Sequence, residues 1–187
     1  LKDLPCDVEE DFIFRDCVTR MIYAKSQEIC VPNGLNANLR SYQKIGFEWL
    51  YRLTSKGVGA YLADDMGLGK TIQTLTLLLA RKDQGPSLIV APTSLCYNWI
   101  NEAKVFTPDL NLIDYRGKNR QELLGALSDG DVLVCSYALI HQDIDLLMDI
   151  YLNIMILDEA QMVKNSGTLR SKSIKLLQAK SRIALSG

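Results

Sequence analysis

Several scarcities in the 187-residue sequence narrow the field first. There is one histidine, His141, and no C-x-x-C pair among the five cysteines Cys6, Cys17, Cys30, Cys96 and Cys135. An odd number of scattered thiols with one imidazole argues against a zinc site and against a disulfide framework. Reduced, partly buried thiols in a cytosolic protein are the expectation. No apolar run approaches the roughly 20 residues that a bilayer-crossing helix needs, so no membrane partner is expected. Positive charge is not in excess: 21 Lys and Arg against 22 Asp and Glu leave a formal net charge of −1. A chain that grips nucleic acid chiefly by charge is normally more basic. That balance still permits local basic surfaces. Internal repeats and low-complexity segments are also missing. Leu1-Lys2-Asp3 does not open a signal peptide, and there is no initiator Met, so the sequence reads as a piece of a longer protein.

What is present is ordinary globular material, 48% apolar and 23% charged. The length suits one domain with a substantial core. Residues 1–34 read as a lead-in from a preceding region, with a helix or strand–helix pair over 12–29 and a turn at Val31-Pro32-Asn33-Gly34. From residue 39 the pattern becomes helical, with Leu39, Tyr42, Gly46, Trp49, Leu50 and Leu53 on one face. Short apolar strands then alternate with helices. Strands are predicted at 60–63, 87–91, 110–115, 131–135, 154–157 and 182–185. Helices are predicted at 70–81, 95–106, 120–127, 138–148 and 169–179. That alternation means βαβ units and an α/β fold, a mostly parallel sheet with helices on both faces. Ligands in such sheets bind outside the carboxyl ends of the strands.

Two motifs stand at such ends. The first is Ala63-Asp64-Asp65-Met66-Gly67-Leu68-Gly69-Lys70-Thr71. It closes like the phosphate loop G-x-x-x-x-G-K-[ST], but Asp64 stands where that pattern has glycine. Gly67 and Gly69 would let backbone N–H groups approach phosphates, Lys70 would reach the β- and γ-phosphates, and the Thr71 hydroxyl would ligate Mg²⁺. The plainer alternative is a turn before a helix. The second motif is Asp158-Glu159-Ala160-Gln161 after the apolar run Ile154-Met155-Ile156-Leu157. Asp158 is placed to bind Mg²⁺ and Glu159 to orient or deprotonate a water. Two neighbouring carboxylates alone are commonly solvated surface; paired with a strand–GKT–helix they point to ATP and Mg²⁺.

Together these residues resemble the first motor lobe of the Swi/Snf-type ATPases, within the superfamily-two nucleic-acid translocases. Asp64 to Thr71 match that family's D-[ED]-M-G-L-G-K-T, which also lacks the first glycine. Leu39-Arg40-Ser41-Tyr42-Gln43 resembles L-R-x-Y-Q, and Gly46-Phe47 with Trp49-Leu50 resembles G-x-x-W-L. Ala91-Pro92-Thr93-Ser94-Leu95 with Asn98, Trp99 and Glu102 resembles motif Ia and its N-W-x-x-E extension. Ser136-Tyr137 resembles motif Ic, Leu157 to Gln161 with Lys164-Asn165 motif II, and Arg182 to Gly187 the start of motif III. The matches cover 39–187, in the family's order; the DEAQ spelling and the lack of large insertions look like bacterial or archaeal members.

The resemblance implies a RecA-like P-loop lobe over 35–187, cut at motif III. It implies Gln43 as the adenine reader, Asp65, Met66, Gly67, Leu68, Gly69, Lys70 and Thr71 as the triphosphate cradle, and Thr71 and Asp158 as Mg²⁺ ligands. Lys70, Asp158, Glu159 and Gln161 are the implied catalytic set, Gln161 coupling the γ-phosphate to the DNA-side motifs. Pro92, Thr93, Ser94, Ser136 and Tyr137 are the implied DNA contacts; for Trp99, packing into the core is the favoured role. The implied partners are double-stranded DNA, a second RecA-like lobe in the same parent chain and a DNA-bound protein target, in a bacterial or archaeal cytoplasm at the nucleoid. Alone, a lobe without the second lobe's arginines is expected to bind nucleotide weakly and to be nearly inactive. The rivals are a strand-separating helicase or restriction-type motor lobe, and a non-catalytic docking module.

Overall fold

The computed structural model describes residues 29–187 apart from Met66 and Lys118. The expected helix or strand–helix pair over 12–29 therefore lies, except for Ile29, outside the described residues, as does the Met66 position in the loop.

Six strands form one parallel sheet: β1 (Ala60–Leu62), β2 (Ser87–Ala91), β3 (Leu112–Asp114), β4 (Val132–Ser136), β5 (Tyr151–Leu157) and β6 (Gln178–Leu185). Their order across the sheet is β1-β6-β5-β2-β4-β3. The helices are α1 (Ser41–Ser55), α2 (Lys70–Ala80), α3 (Thr93–Phe106), α4 (Arg120–Gly125), α5 (Tyr137–Gln142), α6 (Ile144–Leu147) and α7 (Leu169–Leu176). The central strands read as unbroken apolar runs because both of their faces are covered. Every residue of β2 and β4 is buried. Successive side chains go to opposite sides: Ile89, Ala91, Val132, Val134, Ile154 and Ile156 pack with α1, α2 and α3. Leu88, Val90, Leu133, Cys135 and Met155 pack with Tyr137, Ile140, Leu147 and Ile174 of the opposite layer. This is the expected α/β architecture with helices on both faces.

Three details differ from the sequence reading. On α1 the buried face is Gln43, Phe47, Leu50 and Thr54, whereas Tyr42 and Trp49 are exposed. The apolar stripe that periodicity picks out is thus turned partly outward, and a glutamine takes a core position. The predicted helix 138–148 is two short ones, interrupted at Asp143, whose carboxylate accepts from the Arg120 guanidinium, Nη2 to Oδ1 at 3.0 Å. The predicted helix 169–179 stops at Leu176, and β6 begins four residues before the predicted start at 182. Gln178 and Ala179, inside the predicted helix, are held as a strand instead, and their neighbour Ser181 with them: Tyr151 pairs with Gln178, Leu152 with Ala179 and Ile154 with Ser181. The Ser181 hydroxyl also donates to the Thr54 carbonyl at 3.1 Å.

The packing of α1 on α2 bears directly on the loop between β1 and α2. The helices meet so closely at Gly46 that a Cβ there would stand 1.9 Å from Gln73 Oε1. The amide of that same glutamine donates to Asp64 Oδ2 at 3.2 Å and to the Gly69 carbonyl at 3.3 Å. Helix packing therefore fixes the loop from beneath.

Candidate nucleotide and metal site

An open cleft of about 380 Å³ crosses the carboxyl ends of β1, β2, β5 and β6. It is lined by Gly67, Gly69, Lys70 and Thr71 from the loop, by Asn98, Trp99 and Glu102 from α3, and by Asp158 and Glu159 from the end of β5. The two motifs that the sequence singles out thus face each other across one rim.

The loop takes its shape from backbone conformation. Gly67 and Gly69 hold φ values of +84° and +81°, which side chains with a Cβ adopt only at a cost. At Gly67 no atom lies within 4 Å of a would-be Cβ, so the conformation alone calls for glycine. At Gly69 a Cβ would stand 2.4 Å from Gln43 Nε2. Gly69 caps α2, with no side-chain capping bond and no acidic residue in the first turn. The positive end of that helix is left for an anion. Lys70 Nζ donates to the carbonyls of Asp64 at 2.6 Å and Asp65 at 3.2 Å, so its ammonium stands over the loop. Gln43 reaches the same loop: Nε2 donates to the Leu68 carbonyl at 3.2 Å, and Oε1 accepts from the Arg40 N–H at 2.9 Å. Both halves of its amide are engaged with backbone, which makes it a brace between α1 and the loop.

Asp158 is the most constrained carboxylate of the cleft. Its Oδ2 accepts from the Trp99 indole N–H at 2.8 Å and its Oδ1 from the Glu159 N–H at 3.0 Å. Its carbonyl accepts from the Tyr137 hydroxyl at 2.7 Å. Burial pushes the Asp158 carboxyl above the usual carboxylate range, and the Trp99 and Glu159 donors pull it back toward the charged form. Burial also raises Glu102, whose carboxyl interacts with the Thr71 hydroxyl. Glu159 is the one non-glycine residue at positive φ among the described residues, at φ 51° and ψ 52°. Such strain gathers at functional positions. Gln161 Nε2 donates to Glu159 Oε2, and Gln161 Oε1 accepts from the Ser186 hydroxyl at 3.1 Å. The acidic motif is thereby tied to the end of β6.

Among the described residues, no group of three or more His, Cys, Asp or Glu side chains is arranged to hold a metal ion. A metal here would draw on one hydroxyl, Thr71, one carboxylate, Asp158, and phosphate oxygens. Magnesium at nucleotide sites is commonly held that way rather than in an all-protein cage. With the Lys70 ammonium, an uncapped helix start, the Thr71 hydroxyl and the Asp158 carboxylate on one cleft, the donor set fits Mg²⁺ with a triphosphate.

The residues expected at DNA divide in two. Pro92, Thr93 and Ser94 stand at the start of α3 directly after β2, and the two hydroxyl residues are exposed. Ser136 and Tyr137 are buried: the Ser136 Oγ accepts from the Leu139 N–H to cap α5, and the Tyr137 hydroxyl is spent on Asp158. A strand-end position does not by itself expose a side chain, so neither presents a free surface to a duplex. His141, to which the sequence assigns no partner, has Nδ1 3.0 Å from Ser173 Oγ and links α5 to α7.

Sequence reasoning missed the chemistry of α3. Trp99 is buried, as packing into the core requires, yet its N–H points at Asp158. Asn98 and Glu102 share the cleft with it. Their signal was the spacing N-W-x-x-E on a helix that follows a strand end, which puts Trp99 and Glu102 on one face.

Comparison with known proteins gives one family and consistent relatives. A family model described as "SNF2-related domain" matches residues 42–187. YwqA of Bacillus subtilis (strain 168), which carries a provisional ATP-dependent helicase/translocase name, is 42% identical over 164 residues, covering 84% of this chain and 18% of YwqA. The chromatin-remodeling ATPase INO80 of Aspergillus niger is 38% identical over 176 residues, covering 86% of this chain and 10% of that protein. The SWI2/SNF2 ATPase core of Sulfolobus solfataricus, solved in complex with dsDNA, superimposes with a TM-score of 0.79 at 36% identity, covering 86% of this chain and 34% of that one. The chain thus spans less than a fifth of the curated relatives it matches and about a third of the solved core.

Proposed function

This chain belongs to the SNF2-related domain family, and from that premise we propose that it is the first RecA-like lobe of a DNA-dependent ATPase. In this reading the whole protein translocates on double-stranded DNA and remodels protein–DNA complexes. The observation that carries the reading is the meeting of Lys70, Thr71, Asp158 and Glu159 on one cleft.

The reaction is hydrolysis of ATP to ADP and phosphate: water attacks the γ-phosphorus, the bond from that phosphorus to the β,γ-bridging oxygen breaks, and ADP leaves with that oxygen. Gly67 and Gly69 keep the backbone low beneath the phosphates, and the start of α2 faces their charge. Lys70 exchanges the Asp64 and Asp65 carbonyls for β- and γ-phosphate oxygens. Thr71 and Asp158 are the residues that would hold Mg²⁺, which would neutralise phosphate charge. Glu159 accepts the proton of the attacking water, and Gln161 holds that carboxylate in place. Gln43, which carries both a donor and an acceptor beside the loop, reads adenine by releasing the Leu68 carbonyl. Pro92, Thr93 and Ser94 meet DNA phosphates, which position a duplex without reading its sequence.

A second lobe of the same parent chain closes the cleft and adds arginines. Such arginines contribute about 10³–10⁵ in rate in related phosphoryl transfers, so the isolated lobe is nearly inactive. Action at chromosomal DNA inside the cell follows from this reading. Among the described residues, no helix is long and apolar enough to cross a membrane.

The direct test of movement is displacement of a third strand from a triplex, beside unwinding of a forked duplex, by the full-length protein with ATP. Stripping the third strand while leaving the fork paired is the expected result. Unwinding of the fork would instead make the lobe part of a strand-separating helicase.

A further inference from the structure

The reaction above leaves one face of the cleft without a task. Trp99 and Glu102 lie three residues apart on α3, on one side of that helix, and both line the cleft. Each meets a different proposed metal ligand. The Trp99 indole N–H donates to Asp158 Oδ2 at 2.8 Å, and the Glu102 carboxyl interacts with the Thr71 hydroxyl. Thr71 sits in the first turn of α2 and Asp158 follows β5, so nothing in the chain sets their separation directly. One helix, α3, touches both.

The chemistry of the two groups fits an outer shell. An indole N–H is a donor only; it takes no proton and ligates no cation. Its use against a carboxylate is to occupy one lone pair and fix the plane of the group. Oδ1 is fixed likewise by the Glu159 N–H. Asp158 therefore keeps one orientation, with its remaining lone pairs for the cleft. The bulk of Trp99 is buried among the α1–α3 core residues, which holds the indole itself still. Glu102, which lines the same cleft and interacts with the Thr71 hydroxyl, is placed for the corresponding work at Thr71.

We propose that Trp99 and Glu102 are positioning residues that orient Asp158 and Thr71 for Mg²⁺, making α3 the outer wall of the metal site. This inference rests on the reading of the cleft as a Mg²⁺–nucleotide site.

The test uses a non-hydrolysable ATP analogue, titrated calorimetrically with Mg²⁺ and, separately, with EDTA. Trp99→Phe keeps an aromatic side chain and removes the N–H; Glu102→Ala removes the carboxylate; Asp158→Asn reports on the metal ligand itself. The wild type binds more tightly with Mg²⁺ than without. Trp99→Phe and Glu102→Ala are expected to lose about 10–100-fold of that gain, the usual cost of deleting an outer-shell partner. Their affinity in EDTA stays at the wild-type value, which also shows an intact fold and phosphate loop. Full retention of the Mg²⁺ gain in both variants, with its loss in Asp158→Asn, would overturn the positioning role and leave the nucleotide site standing. Equal weakening with Mg²⁺ and with EDTA would make the two residues ordinary packing and overturn it as well. A wild type without any Mg²⁺ gain, unchanged by Asp158→Asn, would overturn the nucleotide reading and this inference together.

Discussion

Glu159 holds a left-handed backbone conformation, a strain of about 1–3 kcal/mol for a residue with a Cβ. Its carboxylate is held in turn by Gln161, and Gln161 by Ser186. The strain makes sense if the side chain must face the attacking water while Asp158 faces the metal. Glu159→Gln keeps size and hydrogen-bonding reach but cannot accept a proton. In the full-length protein it is expected to bind ATP as tightly as wild type while hydrolysis falls by about 10²–10⁴-fold, the usual worth of a general base. Single-turnover hydrolysis beside equilibrium binding measures both quantities. Near-wild-type turnover would remove Glu159 from the reaction. At this scale the loop and the acidic motif were legible because each couples a glycine or carboxylate pattern to a strand end. Trp99 was legible only in part. A buried tryptophan normally signals packing, and the direction of its N–H is set by tertiary structure.

Elements explain which side chains the site receives. Helix α3 exposes Thr93 and Ser94 in its first turn and turns Trp99 and Glu102 toward Asp158 and Thr71 further along. The exposed hydroxyls at its start and the proposed metal site thus share one helix. The sheet order and its two covered faces were legible from apolar runs of strand length between helices. Boundaries were less so. Gln178 and Ala179 fall in the predicted helix but pair with β5, because a long-range partner outweighs the local reading. The break at Asp143 was hidden for the same reason, since its cause is Arg120, distant in sequence. That cluster also holds the buried Tyr115, whose hydroxyl burial pushes up to about 12, with the neighbouring Asp143 carboxylate acting in the same direction. The folded form favours the neutral phenol. Its contribution is present in full below about pH 10, where the unfolded phenol titrates, and is lost as pH rises toward 12. Asp143, held below the usual carboxylate range by Arg120, works the other way: its contribution is present above about pH 4 and is lost as pH falls through its lowered value. Tyr115→Phe is expected to lose stability more slowly than wild type between pH 10 and 12, read from urea midpoints. Parallel slopes for the two proteins would remove Tyr115 from the alkaline limb.

At the scale of the whole molecule, the cleft is one open wall. Loop, α3 and acidic motif line it from this chain, and the cleft is otherwise open. A formal net charge of −1 likewise gives the lobe little general pull on DNA. Both features fit the proposed reading, in which a second lobe joins this one in gripping duplex DNA and ATP. The solved Sulfolobus solfataricus core extends well beyond the region this chain matches. The measurement that bears most directly on this account is steady-state ATP hydrolysis by the full-length protein. It is read without nucleic acid, with single-stranded DNA and with duplex DNA, beside Lys70→Ala. Strong stimulation by duplex, abolished in Lys70→Ala, is the predicted result; absence of hydrolysis under every condition would contradict the motor and leave a docking platform in its place.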